Sequence, residues 1–234
     1  MLSVSSVAVS YGKLQALENV SIEVADGGFV AVVGSNGAGK STLLRAISGL
    51  TAIQGGSIEY NGKRLDGLSP KHICEMGIVQ IPEGRRIFPL MSVKENLQLG
   101  AYLPRARRRI PESFEQVYDL FPKLKERQSQ LAKTLSGGEQ QMLAIGRGMM
   151  GRPSLMILDE PTMSLSPKLA AGILDTLKIL NGQGMTILLV SQEVFHSLQL
   201  AETAYVIENG RIALHGPAAE LCQSEHVRKA YLGL

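Results

Sequence analysis

The sequence has little of what marks disulfide-rich, metal-binding or membrane-spanning proteins. Its 234 residues include two cysteines, Cys74 and Cys222, whose separation is unlike that of a metal site. No apolar run approaches the roughly 20 residues that a membrane-spanning helix needs. Residues 1–10 lack a basic stretch followed by an apolar one, so we expect no signal peptide. These absences favour an intracellular globular protein in a reducing compartment.

The chain also lacks a large excess of charge of either sign. Lysine and arginine number 24 against 21 aspartate and glutamate residues, which gives a formal net charge of +3. A helicase or a repair enzyme usually has a larger basic surface, so the composition favours no nucleic-acid partner. The chain is 44% hydrophobic and its net charge is small, so we expect a folded protein. Its length suits one large domain, or a domain with a subdomain, and is enough to bury a substantial core.

Two hydrophobic patterns divide the chain. Period-two alternation near the start and continuous apolar runs at residues 29–33, 155–158 and 186–190 predict an α/β fold with both half-buried and fully buried strands. The middle part is richer in charged residues and leucine, and prolines cut it into short helical segments. We therefore predict a single domain over residues 1–234. Its α/β core spans residues 1–91 and 155–234, and an inserted helical subdomain spans residues 92–154.

A phosphate-binding loop follows the first buried run. Residues 34–41 match G-x-x-x-x-G-K-[ST] between a predicted strand and a predicted helix, which makes an accidental glycine-rich turn a poor alternative. The loop's N–H groups and the helix N-terminus favour phosphate, Lys40 would bind its β and γ groups, and Ser41 would bind Mg²⁺. The predicted ATP-binding residues here are Gly34, Ser35, Asn36, Gly37, Ala38, Gly39, Lys40, Ser41 and Thr42.

Two adjacent carboxylates end the second buried run. Asp159 and Glu160 follow four apolar residues, at the strand end where ligands bind in open α/β sheets. We expect Asp159 to hold Mg²⁺ through its water shell. Because side chains alternate along a strand, Glu160 is expected to point the other way and to act as general base for an attacking water. A plain surface turn fits poorly, because Pro161 fixes the chain immediately afterwards.

Residues 135–140 read Leu-Ser-Gly-Gly-Glu-Gln, and here the sequence resembles the ABC-type ATPases, whose hallmark is LSGGQ. The resemblance implies a P-loop NTPase core with a mixed, largely parallel sheet, an N-terminal antiparallel β subdomain and an inserted α-helical subdomain. It also implies a head-to-tail dimer, in which this motif acts on ATP that is held by a second subunit. The signature residues are Leu135, Ser136, Gly137, Gly138, Glu139 and Gln140.

The resemblance assigns further roles and exposes three departures. Tyr11 lies where the family places an aromatic side chain on adenine, although a packed strand tyrosine is the alternative. Glu83 occupies the Q-loop position, where it could contact Mg²⁺ through water. Gln192 replaces the usual histidine and can donate a hydrogen bond to the γ-phosphate without becoming cationic. Ser166 replaces the usual D-loop aspartate.

Residues 81–89 and 138–147, together with Gln192, resemble the LivF-type ATPase subunits of branched-chain amino-acid importers. The resemblance implies ATP and Mg²⁺, separate transmembrane permease subunits, an external substrate-binding protein and a place on the cytoplasmic face of the membrane. It favours a heterodimer with a related ATPase, and a homodimer is possible. The groove between the helical insert and the loop at residues 83–88 would receive a cytoplasmic permease helix.

Three other functions stay open at this stage. Closely related ATPases serve urea or other amide importers, and their motifs overlap with these. A nucleic-acid-associated ABC ATPase is disfavoured by the short insert and the single ATPase domain. A nucleotide-dependent regulator with negligible turnover would accommodate Glu83, Gln192 and Ser166.

The helical insert carries a basic cluster that consists of Arg105, Arg107, Arg108 and Arg109. The cluster could face lipid headgroups, although a solvated helix end is the simpler interpretation.

Overall fold

A computed structural model describes residues 1–232, in which ten strands form two sheets. Over this part of the chain, every helix is too short or too polar to cross a bilayer. The strands are β1 (Leu2–Tyr11), β2 (Leu14–Val24), β3 (Phe29–Val33), β4 (Gly55–Tyr60), β5 (Lys63–Arg64), β6 (Ile78–Ile81), β7 (Leu155–Asp159), β8 (Thr186–Ser191), β9 (Thr203–Glu208) and β10 (Arg211–Pro217).

The helices lie mostly between the strands and in one inserted group. The helices are α1 (Lys40–Ile47), α2 (Pro70–Glu75), α3 (Val93–Gly100), α4 (Pro104–Arg107), α5 (Ile110–Leu120), α6 (Pro122–Glu126), α7 (Gly137–Met150), α8 (Pro167–Gly182), α9 (Val194–Leu200), α10 (Ala218–Gln223) and α11 (Glu225–Val227), with a 3₁₀ turn at Ala132–Thr134 and a π turn at Arg228–Leu232.

The first sheet is antiparallel, in the order β2-β1-β4-β5. Its strands are half-buried: Val20, Ile22 and Val24 face the core while the residues between them are exposed. This is the burial expected from period-two alternation. The sheet packs against α1 and the larger sheet in one shared hydrophobic core.

The second sheet is mixed, in the order β10-β9-β3-β8-β7-β6. All its ladders are parallel except the one between β9 and β10. Every residue of β3, β7 and β8 is buried, as the continuous apolar runs predict for strands covered on both faces. The register pairs Val33 with Ser191 and Asp159 with Val190, so the three strands end at one edge. The fold class inferred from the sequence is confirmed.

The inserted helices share a second core, which includes Val93, Leu97, Val117 and Leu143 and reaches the sheet at Met156. Prolines stand in the first turn of α4, α5 and α6, where the missing N–H has no intrahelical partner in any case. The position of the subdomain boundaries at residues 92 and 154, and the single-domain organisation, stay predictions.

The signature motif lies at the start of α7, which begins at Gly137. Ser136 is the N-cap residue, and it forms a capping box with Glu139, which stabilises the first turn despite the two glycines in it.

Arg105 and the other arginines of the cluster are exposed, which agrees with a solvated helix end. The Arg105 guanidinium also donates to the carbonyl oxygens of Cys74 and Glu75, at 2.9 and 2.6 Å, at the C-terminal end of α2. A cation at this end of a helix satisfies the free carbonyl groups there.

Candidate functional site

The phosphate-binding loop joins β3 to α1. At two positions in this loop, only glycine fits the space and the backbone conformation. A Cβ atom at Gly34 would lie 2.3 Å from the carbonyl oxygen of Ile207. Gly39 has a φ of 108°, and a Cβ atom there would lie 2.8 Å from the carbonyl oxygen of Ala16. The two glycines therefore let the loop pack closely against β2 and β9.

The β9–β10 turn supports this loop from outside. The Gly210 N–H donates to the Ala38 carbonyl oxygen at 2.9 Å, and the Glu18 N–H donates to the Gly210 carbonyl oxygen at 2.8 Å. Arg211 forms an ion pair with Glu18, at 2.5 Å between Nη2 and Oε1. The dipeptide Asn209-Gly210 is typical of a hairpin turn, but nothing in the sequence indicates that this hairpin contacts the phosphate-binding loop.

Lys40 is a buried cation with its partners inside the chain. Its ammonium donates to the carbonyl oxygens of Gly34 and Ser35 at 2.8 and 3.0 Å. It also lies 3.4 Å from Oε1 of Glu160, and the two side chains are 6% and 7% exposed. The Oε1 atom makes no hydrogen bond, so this is an ion contact between two buried charges. Each charge compensates the other in a position where neither could stand alone.

Ser41 and Asp159 face each other across the ends of α1 and β7. The Ser41 hydroxyl donates to Oδ1 of Asp159 at 3.3 Å. Burial raises the pKa of Asp159 above its usual value; the charges of Glu160 and Glu83 raise it further, while the Ser41 hydrogen bond and Lys40 lower it. A divalent cation would relieve this accumulation of buried negative charge.

These oxygens fit Mg²⁺, although the ion itself is not shown. Mg²⁺ is commonly held by one or two carboxylates together with phosphate oxygens and water. Within residues 1–232 there is no cluster of three histidine, cysteine or acidic side chains around one point. Glu83 lies in the exposed turn after β6 and lines the same cleft as Ser41 and Asp159, as its predicted role requires.

The Glu160 side chain is directed towards Lys40 by a backbone conformation that the sequence analysis did not predict. The expectation rested on side-chain alternation along a strand, but β7 ends at Asp159. Glu160 has a left-handed backbone with a φ of 49°, and this turn sets the direction of its side chain. Its Oε2 accepts a hydrogen bond from the Gln192 N–H at 3.0 Å. The Gln192 side chain is exposed, so it is the main chain of that residue that orients the carboxylate.

Tyr11 lies at the end of β1, near the first turn of α1. Its hydroxyl is 3.3 Å from Oγ1 of Thr51, and that hydrogen bond lowers the pKa of Tyr11, with Thr42 and Arg45 also close enough to contribute. The residue is 43% exposed, which argues against the alternative of a packed strand tyrosine. The ring is free to stack on a base.

The signature motif forms the start of α7. The Ser136 hydroxyl and N–H donate to Oε2 of Glu139 at 2.8 and 2.9 Å. Burial opposes ionisation of Glu139, but the hydrogen bonds from Ser136 and the charge of Arg127 hold its pKa below the usual value. Gly137 and Gly138 occupy the first turn, where N–H groups have no intrahelical acceptor and can serve an anion.

Arg85 contacts the signature motif from the loop after β6, a contact that no sequence pattern indicates. Its Nη1 donates to Oε1 of Gln140 at 3.1 Å, and a Cβ atom at Gly137 would lie 3.0 Å from its Nη2. Arg85 and Arg86 both have a left-handed backbone, with φ of 64° and 44°. Two such residues in succession turn the chain so that the Arg85 guanidinium covers the signature glycine.

The D-loop follows the acidic pair and leads into α8. Thr162 donates through its hydroxyl to Oε2 of Glu193 at 3.2 Å, which ties the loop to the segment after β8. Ser166, which stands where the family usually has aspartate, precedes the first residue of α8 and makes no side-chain capping bond.

Comparison with known proteins gives a consistent result. The family described as ABC transporter matches residues 17–163. A high-affinity branched-chain amino acid transport ATP-binding protein of Pseudomonas aeruginosa, BraG, is 46% identical over the full length of both chains. A probable branched-chain amino acid transport ATP-binding protein of Archaeoglobus fulgidus, LivF, is 36% identical over 100% of this chain and 99% of the other.

Relatives of lower identity include one that is named for another amino acid. The glutamine transport ATP-binding protein GlnQ of Escherichia coli is 31% identical and is matched over 92% of this chain and 91% of its own length. Among solved structures, an ATP-binding cassette of an ABC transporter in its ADP conformation has a TM-score of 0.86 at 27% identity, and the match covers 100% of this chain and 99% of that one.

Proposed function

The chain belongs to the ABC transporter family and is an ATPase, and from that premise we propose that it drives the import of branched-chain amino acids through separate permease subunits. One observation carries the ATPase assignment: Lys40, Ser41, Asp159 and Glu160 meet at the ends of neighbouring strands, with the carboxylates beside the phosphate-binding loop. The substrate class is supported by the identities of 46% and 36% to relatives named for branched-chain amino acids, against 31% for the glutamine relative.

In this proposal the triphosphate replaces the internal partners of Lys40. The ammonium exchanges the carbonyl oxygens of Gly34 and Ser35 for phosphate oxygens, which are stronger acceptors because they are charged. The N–H groups at the start of α1 contact the same phosphates. Ser41, Asp159 and, through water, Glu83 would hold Mg²⁺, which supplies charge neutralisation at the β and γ groups. Tyr11 stacks on the adenine.

Hydrolysis is a displacement at the γ-phosphorus. A water oxygen bonds to the phosphorus, the bond between the γ-phosphorus and the oxygen that bridges to the β-phosphate breaks, and ADP leaves. Glu160 accepts the proton that the water gives up. The Gln192 N–H holds the carboxylate at 3.0 Å, and the departure of Lys40 towards phosphate leaves Oε1 of Glu160 available. The Gln192 side chain donates to a γ-phosphate oxygen.

We place the signature on the ATP of a second ATPase subunit. The free N–H groups of Gly137 and Gly138, with the Ser136 hydroxyl, would bind that γ-phosphate, so that ATP closes the pair and hydrolysis reopens it. A related but different second subunit is favoured over a second copy, because it could supply the usual residues where this chain has Glu83, Gln192 and Ser166. The assembly would lie at the cytoplasmic face of the membrane with an external substrate-binding protein.

Uptake in cells tests the proposal. Deleting the gene in the source organism should abolish high-affinity uptake of radiolabelled leucine, isoleucine and valine while uptake of urea and glutamine persists. The wild-type gene should restore uptake, Glu160→Gln should not, and Glu115→Gln, which changes an exposed carboxylate on α5, should restore it fully. Loss of urea or glutamine uptake with normal leucine uptake would contradict the substrate class.

A further inference from the structure

The Arg85 guanidinium faces the signature motif without a counter-ion from residues 1–232. The side chain is half-buried, and its Nη1 donates to Oε1 of Gln140, a neutral acceptor, at 3.1 Å. A guanidinium carries five N–H donors and stays charged at every physiological pH. Arg85 therefore has donors and charge available for an anion that the subunit itself does not supply.

The position of this guanidinium is at the N-terminal end of α7. A Cβ atom at Gly137 would lie 3.0 Å from Nη2, 3.2 Å from Nη1 and 3.3 Å from Cζ of Arg85, so the flat group lies against this glycine. Because Cα–Cβ bonds tilt towards the N-terminus of a helix, a group in this place lies beside the helix end where free N–H groups bind an anion. Arg85 and the N–H groups of the signature can therefore contact the same anion.

The surroundings of Arg85 are basic. It lines a cleft of about 490 Å³ together with Arg86, Lys133 and Glu160. Glu160 is the only carboxylate among the residues of the described chain that line this cleft, and it already lies 3.4 Å from Lys40. Three cations against one paired carboxylate give the cleft an excess of positive charge, which attracts an anionic ligand.

A strained backbone places the guanidinium there. Arg85 and Arg86 have φ of 64° and 44° in succession, in the left-handed region that residues other than glycine and asparagine rarely adopt. Such conformations cost free energy, and they cluster at sites where the strain serves a function. Relaxation of either residue to an ordinary conformation would turn the Arg85 side chain away from Gly137.

We propose that Arg85 is a further catalytic residue, which contacts the γ-phosphate of the ATP that the second ATPase subunit holds. This inference rests on the proposed function, because it takes the signature to face that ATP. The guanidinium donates to γ-phosphate oxygens beside the N–H groups of Gly137 and Gly138, and it offsets the charge on the phosphoryl group during transfer to water. Arg85 forms no covalent bond and gives up no proton in this step, since its guanidinium stays protonated.

The first test is the pairing of the two full-length ATPase subunits in the presence of the non-hydrolysable β,γ-imido analogue of ATP. Arg85→Gln should weaken pairing, measured by sedimentation, by at least about tenfold, because the phosphate loses a charge-assisted donor. Arg85→Lys should weaken it less, since it keeps the charge but not the planar group. Binding of the analogue by the separate variant subunit should equal that of the wild type.

The chain offers a matched control for this change. Arg108→Gln replaces an exposed arginine of the helical insert by the same residue, and it should pair as the wild type does. Wild-type pairing by Arg85→Gln as well would overturn the proposal.

A change in the nucleotide separates a direct contact from an indirect effect of Arg85 on α7. The γ-methyl ester of the same analogue carries one negative charge fewer on its γ-phosphate, so it should pair the wild-type subunits more weakly than the parent analogue does. The ratio of the two pairing constants should shrink by at least about fivefold in Arg85→Gln, because the two charges are coupled. Weakening by the same factor with both nucleotides would show that Arg85 only positions the signature, and would overturn the contact.

The outcomes separate this inference from the proposed function. If the wild-type subunits pair with neither nucleotide, the assignment of the signature to the ATP of a second subunit is wrong, and the Arg85 contact is wrong with it. If the wild type pairs and Arg85→Gln pairs equally well, only the Arg85 contact is wrong.

A label on the unaltered arginine decides the question should the Arg85 variants unfold. In a complete transporter with Lys40→Ala in this chain, an ATP analogue with a photoreactive group on its γ-phosphate is held by the second subunit alone. Its label should attach to this chain at residues 84–86 as well as at the signature, and mass spectrometry locates it. A label at the signature alone would overturn the Arg85 contact, and a label confined to the second subunit would contradict the proposed function as well.

Discussion

A buried lysine and a half-buried arginine of the same chain have different surroundings. Lys40 lies 3.4 Å from Glu160 and donates to two carbonyl oxygens, so its charge is compensated before any ligand arrives. Arg147 has one carbonyl acceptor and an aromatic cover, and one of its nitrogens has no acceptor. The two cations differ in whether the chain itself supplies a counter-ion. The nucleotide site carries its own counter-ion, which a phosphate can replace, whereas Arg147 has no ion pair within residues 1–232.

The largest effect is expected on nucleotide affinity when Lys40, the cation with partners inside the chain, is replaced. Lys40→Ala removes charge-assisted hydrogen bonds to two phosphates, each of about 1.5–3 kcal/mol, so nucleotide affinity should fall at least about 100-fold. Isothermal titration with a non-hydrolysable ATP analogue measures the loss. Lys168→Ala, an exposed lysine on α8, is the matched control. Affinity within a few-fold of wild type would contradict the phosphate contact.

The next largest effect is expected on ATP hydrolysis when Glu160 is replaced. Glu160→Gln should keep ATP binding and lower turnover by about 10²–10⁴-fold, the usual contribution of a general base. The variant should also accumulate as an ATP-bound pair of ATPase subunits, which size-exclusion chromatography with the second subunit detects. Rapid turnover by this variant would remove Glu160 from the role of base.

A smaller effect is expected from a change in the β9–β10 turn, which supports the phosphate-binding loop. Gly210 has a φ of 76°, and a Cβ atom there would lie 2.6 Å from the carbonyl oxygen of Ala16, so Gly210→Ala must displace the turn that holds Ala38. We expect the KM for ATP to rise by about tenfold, because the loop loses a neutral hydrogen bond of about 1 kcal/mol and its alignment. Turnover at saturation should change less.

The chain offers a matched control for that change. Gly62 also belongs to an Asn-Gly turn, with a φ of 72°, but a Cβ atom there would meet no atom within 4 Å. Gly62→Ala therefore introduces the same backbone strain without a collision and away from the nucleotide. An equal rise of KM in both variants would show that general loss of stability, and not the position of the loop, is responsible.

The smallest effect concerns Asp159 and pH. Its folded pKa is raised, so the folded state holds the proton more tightly than the unfolded state, and ionised Asp159 destabilises the nucleotide-free fold. Asp159→Asn should therefore raise the midpoint of thermal unfolding at neutral pH while weakening Mg²⁺-dependent binding of ATP. The gain in stability should shrink as the pH falls through the raised pKa, and a gain that grows on acidification would contradict the sign.

Much of this organisation could be predicted from short-range patterns. The runs at residues 29–33 and 155–158 are apolar without interruption because both faces of β3 and β7 are covered, and the motifs at their ends place Lys40, Asp159 and Glu160 at one edge. The antiparallel sheet follows from alternation in the same way. The motifs also indicated the signature helix, which begins at Gly137.

What could not be predicted depends on contacts between distant parts of the chain. The bond from Gly210 to Ala38 joins residues that no local pattern relates, and so does the contact between Arg85 and Gln140. The direction of Glu160 follows from a left-handed backbone that strand periodicity does not encode. Whether a cation has a counter-ion is likewise a property of packing, which is why Lys40 and Arg147 could not be distinguished in this respect before the fold was known.

Equilibrium urea unfolding of the isolated subunit tests the contrast between the two cations most directly. Lys40→Met leaves Glu160 buried without its partner and should lower the free energy of unfolding, by up to about 3–5 kcal/mol. Arg147→Met removes a half-buried charge that has no ion pair and keeps a side chain of similar length, so it should leave the free energy of unfolding unchanged or raise it. A loss of similar size in both variants would contradict the claim that one cation is paired within the chain and the other is not.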